Sequence, residues 1–252
     1  MKSYILIFVL GLTITSRGQS VEEVQKRLNL LTHAKKLVYD TTGLSKLPKF
    51  AYFCISDAVI IDKDSTETIV PSETEDPWKY YTVIDINGDK LSDLIYSGPC
   101  MPYDRTGIFL NDGKTLKLIH DYPGKLVSID KLIEKTVVNI LKESCCCDYY
   151  SDYIQVTIWN DSHVDKNQIT FFGNTEIKID NLTKLKVKGI LRTSPDINDK
   201  QVKDVCSDEI LEGNHLARID KLTTVVQLSQ IGQWRLILYP VDNDISYIGW
   251  IK

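Results

Sequence analysis

The chain has 252 residues, of which 43% are hydrophobic, and a formal net charge of −4 at pH 7. The charge is uneven: residues 19–182 hold 18 Lys and Arg against 25 Asp and Glu, a net of −7, whereas residues 183–252 hold 10 against 9, a net of +1. Nucleic-acid binding requires a cluster of Lys and Arg, and the sequence has no basic run, so this class of partner is excluded. An acidic first part is compatible with cation binding.

The first 18 residues have the features of a secretory signal peptide. Lys2 precedes an apolar run over residues 4–12, and Ser16 and Gly18 stand at the spacing of a cleavage site. We therefore expect a mature chain from Gln19, exported to the periplasm or the extracellular space. No later stretch approaches the ~18 apolar residues of a membrane-spanning helix, so we do not expect a membrane-embedded protein.

Six cysteines follow the predicted cleavage site. An even number of cysteines in an exported chain favours disulfides, but six cysteines allow fifteen pairings and the sequence does not choose among them. The consecutive run at 145–147 fits one or two bridges that fix a hairpin, or alternatively a thiolate metal site or redox centre, although zinc ligands are usually two to four residues apart. The six are Cys54, Cys100, Cys145, Cys146, Cys147 and Cys206.

A helix is predicted at the start of the mature chain. Residues 20–23 read as a capping box, which predicts a helix that runs to about Val38. Its apolar residues, such as Val24, Leu28 and Leu31, recur at helical spacing. We expect that face to pack on the domain that follows.

Beyond the helix, hydrophobic residues alternate with a period of two, which predicts strands. Asn-Gly, Asp-Gly and Pro-Gly pairs at 87–88, 112–113 and 123–124 predict hairpin turns. Residues 130–142 fit a strand or a capped helix, and β-branched residues at 136–138 favour the strand. The acidic stretch 64–77 predicts a disordered loop. The predicted strands are 50–55, 58–62, 80–84, 93–96, 107–110, 114–120, 125–129, 136–141, 153–159, 168–172, 176–179 and a further set from 185 onward.

One loop has the oxygen pattern of a metal site. In DINGDKLSDL, residues 85–94, side-chain oxygens recur at Asp85, Asn87, Asp89 and Asp93, and Leu91 can offer its backbone carbonyl. Ca²⁺ takes six to eight hard oxygens from such loops. The glycine position and the strand-like flanks differ from those of an EF-hand. The alternative is a polar hairpin turn whose carboxylates are simply solvated.

The same residues resemble one FG-GAP or VCBS-type repeat, the blade unit of integrin-like β-propellers. The loop over 85–94 is followed by GIFLNDG at 107–113, as in that family. The resemblance implies that Asp85, Asn87, Asp89, the carbonyl of Leu91 and Asp93 bind a structural Ca²⁺ ion. It covers residues 80–120 only, and because a propeller requires several blades, the propeller fold is not implied.

The segment from residue 183 resembles a bacterial SH3-like domain. LRTSP at 191–195, LTTV at 222–225 with GQW at 232–234, and GWI at 249–251 match that pattern in order. The resemblance implies a small barrel that binds peptides or proteins. The expected fold class is therefore mainly β, with an N-terminal helix, an acidic antiparallel β-domain over 19–182 and an SH3-like barrel over 183–252.

Four aromatic residues of that segment are the candidate ligand-binding residues: Trp234, Tyr239, Tyr247 and Trp250. Aromatic faces offer a large contact area at a low cost in side-chain entropy. The alternative is that the two tryptophans belong to the barrel core, which leaves Tyr247 as the better surface candidate.

Catalysis is not expected. The four histidines lie in unrelated contexts, and no nucleophile elbow, zinc-protease pair or phosphate loop occurs in the sequence. We expect an exported, non-catalytic protein that binds a cell-envelope peptide or protein. A cell-wall hydrolase and a structural envelope subunit are the alternatives.

Overall fold

The computed structural model describes residues 25, 28, 40–48, 50–54, 57–61, 80–100, 103–144, 149–173, 175, 177–180, 182–204 and 209–252. Over 50–61 only the backbone is described. The described part is mainly β, as predicted. Its strands are β1 (Phe50–Cys54), β2 (Asp57–Ile61), β3 (Tyr81–Ile84), β4 (Asp93–Cys100), β5 (Tyr103–Asn111), β6 (Leu116–Pro123), β7 (Lys125–Lys131), β8 (Lys135–Lys142), β9 (Tyr150–Trp159), β10 (Val164–Phe172), β11 (Thr183–Arg192), β12 (Gln201–Lys203), β13 (Ile210–Glu212), β14 (His215–Ile231), β15 (Trp234–Pro240) and β16 (Ile245–Ile251).

A four-stranded antiparallel sheet has the order β3-β4-β5-β6. Side chains alternate between its two faces, and each face contributes to an apolar cluster. Leu94 and Tyr96 pack on one face with Leu47, which follows a 3₁₀ turn at Leu44–Lys46, whereas Ile95 packs on the other. The loop residue Asp40 covers the β3 edge, where its carbonyl accepts a 2.7 Å bond from the Val83 amide.

The larger sheet has eight strands in the order β11-β14-β15-β16-β10-β9-β8-β7. Neighbours pair antiparallel except β10 and β16, which pair in parallel over Gln168–Phe171 and Ile245–Ile248. Arg192 of β11 also pairs with Trp250 of β16, so β11, β14, β15 and β16 form a closed ring. Backbone pairing therefore crosses the predicted boundary at residue 182.

The two sheets pack face to face over the β7–β9 part of the large sheet. Ile95 and Ile108 of the small sheet share one apolar cluster with Ile140, Ile154 and Val156 of the large sheet. All five side chains have no solvent exposure. This packing fixes the position of the β3–β4 loop, which holds the predicted metal ligands, relative to the β7–β8 turn.

The structure confirms some of the predicted elements and contradicts others. Residues 135–142 are a strand, as favoured above, but Pro123-Gly124 is not a hairpin turn, because β6 pairs with β5 in one sheet and β7 with β8 in the other. Residues 177–179 lie outside any strand, and Ile177 and Ile179 pack on the large sheet as loop residues. The strand prediction for 176–179 was therefore wrong there, because a loop also buried its apolar side chains.

Other predictions fall largely outside the described residues. Of the predicted helix, only Gln25 and Leu28 are described; both are helical, and Leu28 is fully buried against the large sheet. The signal peptide and the acidic stretch 64–77 lie outside the described residues, as do the cysteine run at 145–147 and Cys206. Within the described part, no helix has the length and apolar character needed to cross a membrane.

Candidate functional site

The candidate site is the β3–β4 loop, residues 85–92, together with Asp93 at the start of β4. Two residues of the loop have left-handed backbone, Gly88 with φ of 79° and Lys90 with φ of 73°. A lysine rarely adopts this conformation, so the loop closes at a local cost. Asp and Asn side chains compensate by binding nearby amides, which is why this sequence forms a tight turn.

Short-range hydrogen bonds hold Asp85, Asn87 and Asp89 in the loop. Asp85 accepts from the amide of Gly88 at 2.6 Å and from that of Lys90 at 3.3 Å. Asp89 accepts from the Leu91 amide at 2.7 Å and from the Asn87 side-chain amide at 3.0 Å. The loop is therefore ordered by its own side chains.

Asp93 differs from these residues because its side chain is fully buried. One carboxylate oxygen accepts from the Ile86 amide at 2.6 Å, and the other accepts from the Asn111 amide at 2.8 Å. The pKa of Asp93 is raised to about 6, chiefly by burial and in smaller part by the charge of Asp89, although hydrogen bonds from the backbone amides of Asn111, Ile86 and Asn87 oppose the shift. Among the described residues, no cation lies within ion-pair distance of Asp93.

Residues distant in sequence surround the loop. The Nζ of Lys131, at the end of β7, donates to the Asp85 carbonyl at 2.6 Å and lies 3.5 Å from the Asp85 carboxylate. The hydroxyl of Thr136 donates to the Ile86 carbonyl at 2.5 Å. The Asn87 side chain donates to the Ser162 hydroxyl at 3.2 Å. The loop is thus docked against the ends of the large sheet.

The oxygen atoms of the predicted ligands are of the kinds that a hard cation binds. Asp85, Asp89 and Asp93 supply carboxylate oxygens, Asn87 an amide oxygen and Leu91 a carbonyl, which is the mixture that Ca²⁺ takes in proteins. Each carboxylate oxygen has more than one lone pair, so an amide bond leaves acceptor capacity. In the described part, no three His, Cys, Asp or Glu side chains are grouped closely enough to hold a metal. A site here must therefore include the amide and carbonyl oxygens.

Asn111 belongs to the site although it was not among the predicted ligands. Besides its amide bond to Asp93, its side chain donates to the Ser92 carbonyl at 2.9 Å. Asn111 lies in the GIFLNDG segment that supported the FG-GAP resemblance, so that segment was a signal for it. Lys131 and Ser162 had no such signal, because they lie 46 and 75 residues from their loop partners.

The four aromatic candidates do not lie on one face. Trp234 and Trp250 pack with the apolar cluster between the ring and β9–β10, and Trp250 is only 6% exposed. Tyr239 and Tyr247 are direct cross-strand partners, partly buried, and pack with the cluster formed by the four ring strands. The structure therefore brings the two tyrosines together and separates them from the tryptophans.

The side-chain contacts of His215 and His120 bear on whether the chain has a catalytic site. His215 contacts Asp199 at 2.7 Å, and Asp199 also pairs with Arg192 at 2.8 Å. His120 stacks on Tyr122, and its buried Nε2 atom has no hydrogen-bond partner among the described residues. Burial lowers the pKa of His120 to about 4. These contacts anchor polar side chains and do not align a histidine with a nucleophile among the contacts described.

No known family model, no curated protein and no solved structure matches this chain. The FG-GAP and SH3-like resemblances consequently remain predictions from sequence.

Proposed function

We propose that this chain is an exported, non-catalytic binding protein whose β3–β4 loop is stabilised by Ca²⁺. The observation that supports this proposal best is Asp93, a fully buried carboxylate with a raised pKa and a second carboxylate, Asp89, near enough to raise it further. A bound divalent cation would neutralise this excess charge. Asp85, Asn87, Asp89, Leu91 and Asp93 would hold the ion.

The role of the ion would be structural. The loop joins two strands of the small sheet, and Ile86 packs between the sheets with no exposure. Fixing the loop therefore fixes part of the core. Mg²⁺ is a poorer candidate because it prefers an octahedral site and keeps several water ligands.

The proposed binding surface is centred on Tyr239 and Tyr247. The two residues are cross-strand partners on adjacent strands, and both are partly exposed. Paired tyrosines present apolar area with polar hydroxyl ends, which suits a peptide ligand. We propose a cell-envelope peptide or protein as that ligand, with an SH3-like fold for residues 183–252.

The proposed compartment is the periplasm or the extracellular space. Besides the predicted signal peptide, Cys100 supports it: this residue is buried at the end of β4 and is disulfide-bonded. Disulfides persist in oxidising compartments. The side chains of the other five cysteines lie outside the described residues, so the pairing remains a prediction.

The calcium proposal is tested by thermal melts of residues 19–252 in EDTA and in millimolar Ca²⁺. We expect the ion to add about 2.7 kcal/mol of stability at a hundredfold excess over its Kd. Asp89→Ala should lose this gain. Asp112→Ala, which removes a turn aspartate of the next hairpin, should keep it. Identical melts of the wild type in both buffers would contradict the proposal.

The ligand proposal is tested by measuring binding to fractionated envelope peptides and proteins. Tyr247→Ala should weaken binding about tenfold, as expected for an aromatic residue at the centre of an interface. Trp159→Ala, an aromatic substitution outside the ring, serves as the matched control. Undiminished binding by Tyr247→Ala, or degradation of wall material by the wild type, would refute the proposed role.

A further inference from the structure

Lys131 is the one described cation that contacts a predicted metal ligand. Its ammonium lies 3.5 Å from the Asp85 carboxylate and donates to the carbonyl of the same residue at 2.6 Å. Lys131 ends β7 in the large sheet, and Asp85 follows β3 in the small sheet. The contact therefore joins the two sheets at the mouth of the candidate site.

We propose that the Lys131 ammonium is the internal counter-cation of the β3–β4 loop and that it competes with Ca²⁺ for Asp85. This inference rests on the proposed calcium site and adds the residue that sets its affinity. A divalent ion held by Asp85 would repel a positive charge on the same carboxylate. Binding would then require the ammonium to leave.

The structure allows that exchange. The Lys131 side chain is 48% exposed, whereas the Asp85 side chain is 25% exposed. A lysine has a long flexible stem and a strongly hydrated head, so it can move into water while the carboxylate stays in place. Asp93, deeper in the site, has no such counter-cation in the described part. Lys131 therefore neutralises the outer end of the site and leaves the inner end to the metal.

Lys135 offers a matched control at the other end of the same turn. Its Nζ lies over the ring of Trp159, 4.4 Å from the ring centroid, and none of its contacts is with a predicted ligand. Replacing either lysine by Met removes one positive charge from this end of the molecule. Only Lys131→Met removes the contact with Asp85.

The test is a Ca²⁺ titration by calorimetry on residues 19–252. Lys131→Met should bind Ca²⁺ about five- to tenfold more tightly than the wild type, because both the competing ion pair and its repulsion are gone. Lys135→Met should change the affinity less than about twofold, since exposed charges at longer range are screened by salt. In EDTA, Lys131→Met should melt at a lower temperature than the wild type.

Each outcome of this titration is decisive. Wild-type binding with an unchanged affinity in Lys131→Met would overturn the competition while leaving the calcium site intact. Binding by Lys131→Met alone would support the competition and show that the lysine excludes the metal. Equal gains in Lys131→Met and Lys135→Met would reduce the effect to net charge and overturn the specific role. If none of the three proteins binds Ca²⁺, both proposals fail.

Discussion

The β3–β4 loop and the β5–β6 turn use the same residues in different surroundings. Both contain an Asx-Gly pair, and both have a glycine with left-handed backbone: Gly88 with φ of 79° and Gly113 with φ of 85°. In the β5–β6 turn, Asp112 accepts from the Lys114 and Thr115 amides and is exposed. In the β3–β4 loop, Asp93 accepts from amides seven and eighteen residues away and is fully buried.

The surroundings of the two glycines repeat this contrast. A Cβ at Gly88 would lie 3.2 Å from the Asn160 side chain, whereas a Cβ at Gly113 would meet nothing closer than a Leu91 methyl group at 3.8 Å. One turn is packed against another part of the chain, and the other is open. Asx-Gly chemistry therefore specifies a turn, whereas burial and long-range partners distinguish a candidate site from a plain turn.

The largest expected effect is the loss of the Asp93 carboxylate. Asp93→Ala leaves the Ile86 and Asn111 amides buried without acceptors, and each such group costs about 1–3 kcal/mol, so we expect about 4 kcal/mol of lost stability. Asp112→Ala should cost much less stability than Asp93→Ala, because Asp112 is exposed and water replaces its bonds. Urea denaturation at pH 5 in EDTA measures both. Equal losses would show that the two turns are energetically alike.

The pH dependence of stability should separate the same two residues. The folded pKa of Asp93 is about 6, against 3.8 for the ordinary carboxyl, so the folded state binds more protons between these values. Its contribution is then fully present below about pH 3.8 and is lost as the pH rises through about 6. The difference between these two pKa values corresponds to about 3 kcal/mol of stability.

Asp112 should act in the opposite direction. Hydrogen bonds from the Thr115 and Lys114 amides lower its pKa, so its contribution is present above the ordinary pKa and is lost as the pH falls. Unfolding free energies in EDTA from pH 3 to pH 7, for Asp93→Asn and Asp112→Asn beside the wild type, measure these slopes. A wild-type slope that persists in Asp93→Asn would assign the proton uptake to another group.

Local signals in the sequence predicted much of the fold. Period-two alternation located β3 to β10, and the Asn-Gly and Asp-Gly pairs located two turns, because these features depend on neighbouring residues only. Pro123-Gly124 was misread because a Pro-Gly pair marks a change of direction and does not specify the partner strand. Here Gly124 donates to the Asp104 carbonyl at 2.6 Å, and the chain passes from one sheet to the other.

The candidate sites were predictable to different degrees. The oxygen carriers of the β3–β4 loop follow from spacing, whereas Lys131 and Ser162 depend on how the sheets pack. The division of the aromatic residues did follow from strand geometry. Trp234 and Tyr239 lie an odd number of positions apart along one strand, as do Tyr247 and Trp250, so each pair must point to opposite faces.

The parallel pairing of β10 with β16 has a consequence for biosynthesis. When the ribosome has made the chain only as far as β15, the edge of β10 that β16 will cover has no partner from the large sheet. An unpaired strand edge is a template for pairing with other chains, and contacts so distant in sequence form slowly. In this protein, Ile245–Ile248 close that edge some 77 positions after Gln168–Phe171 have been made. A nascent chain is therefore prone to aggregation through this edge during the time in which residues 173–244 are synthesised.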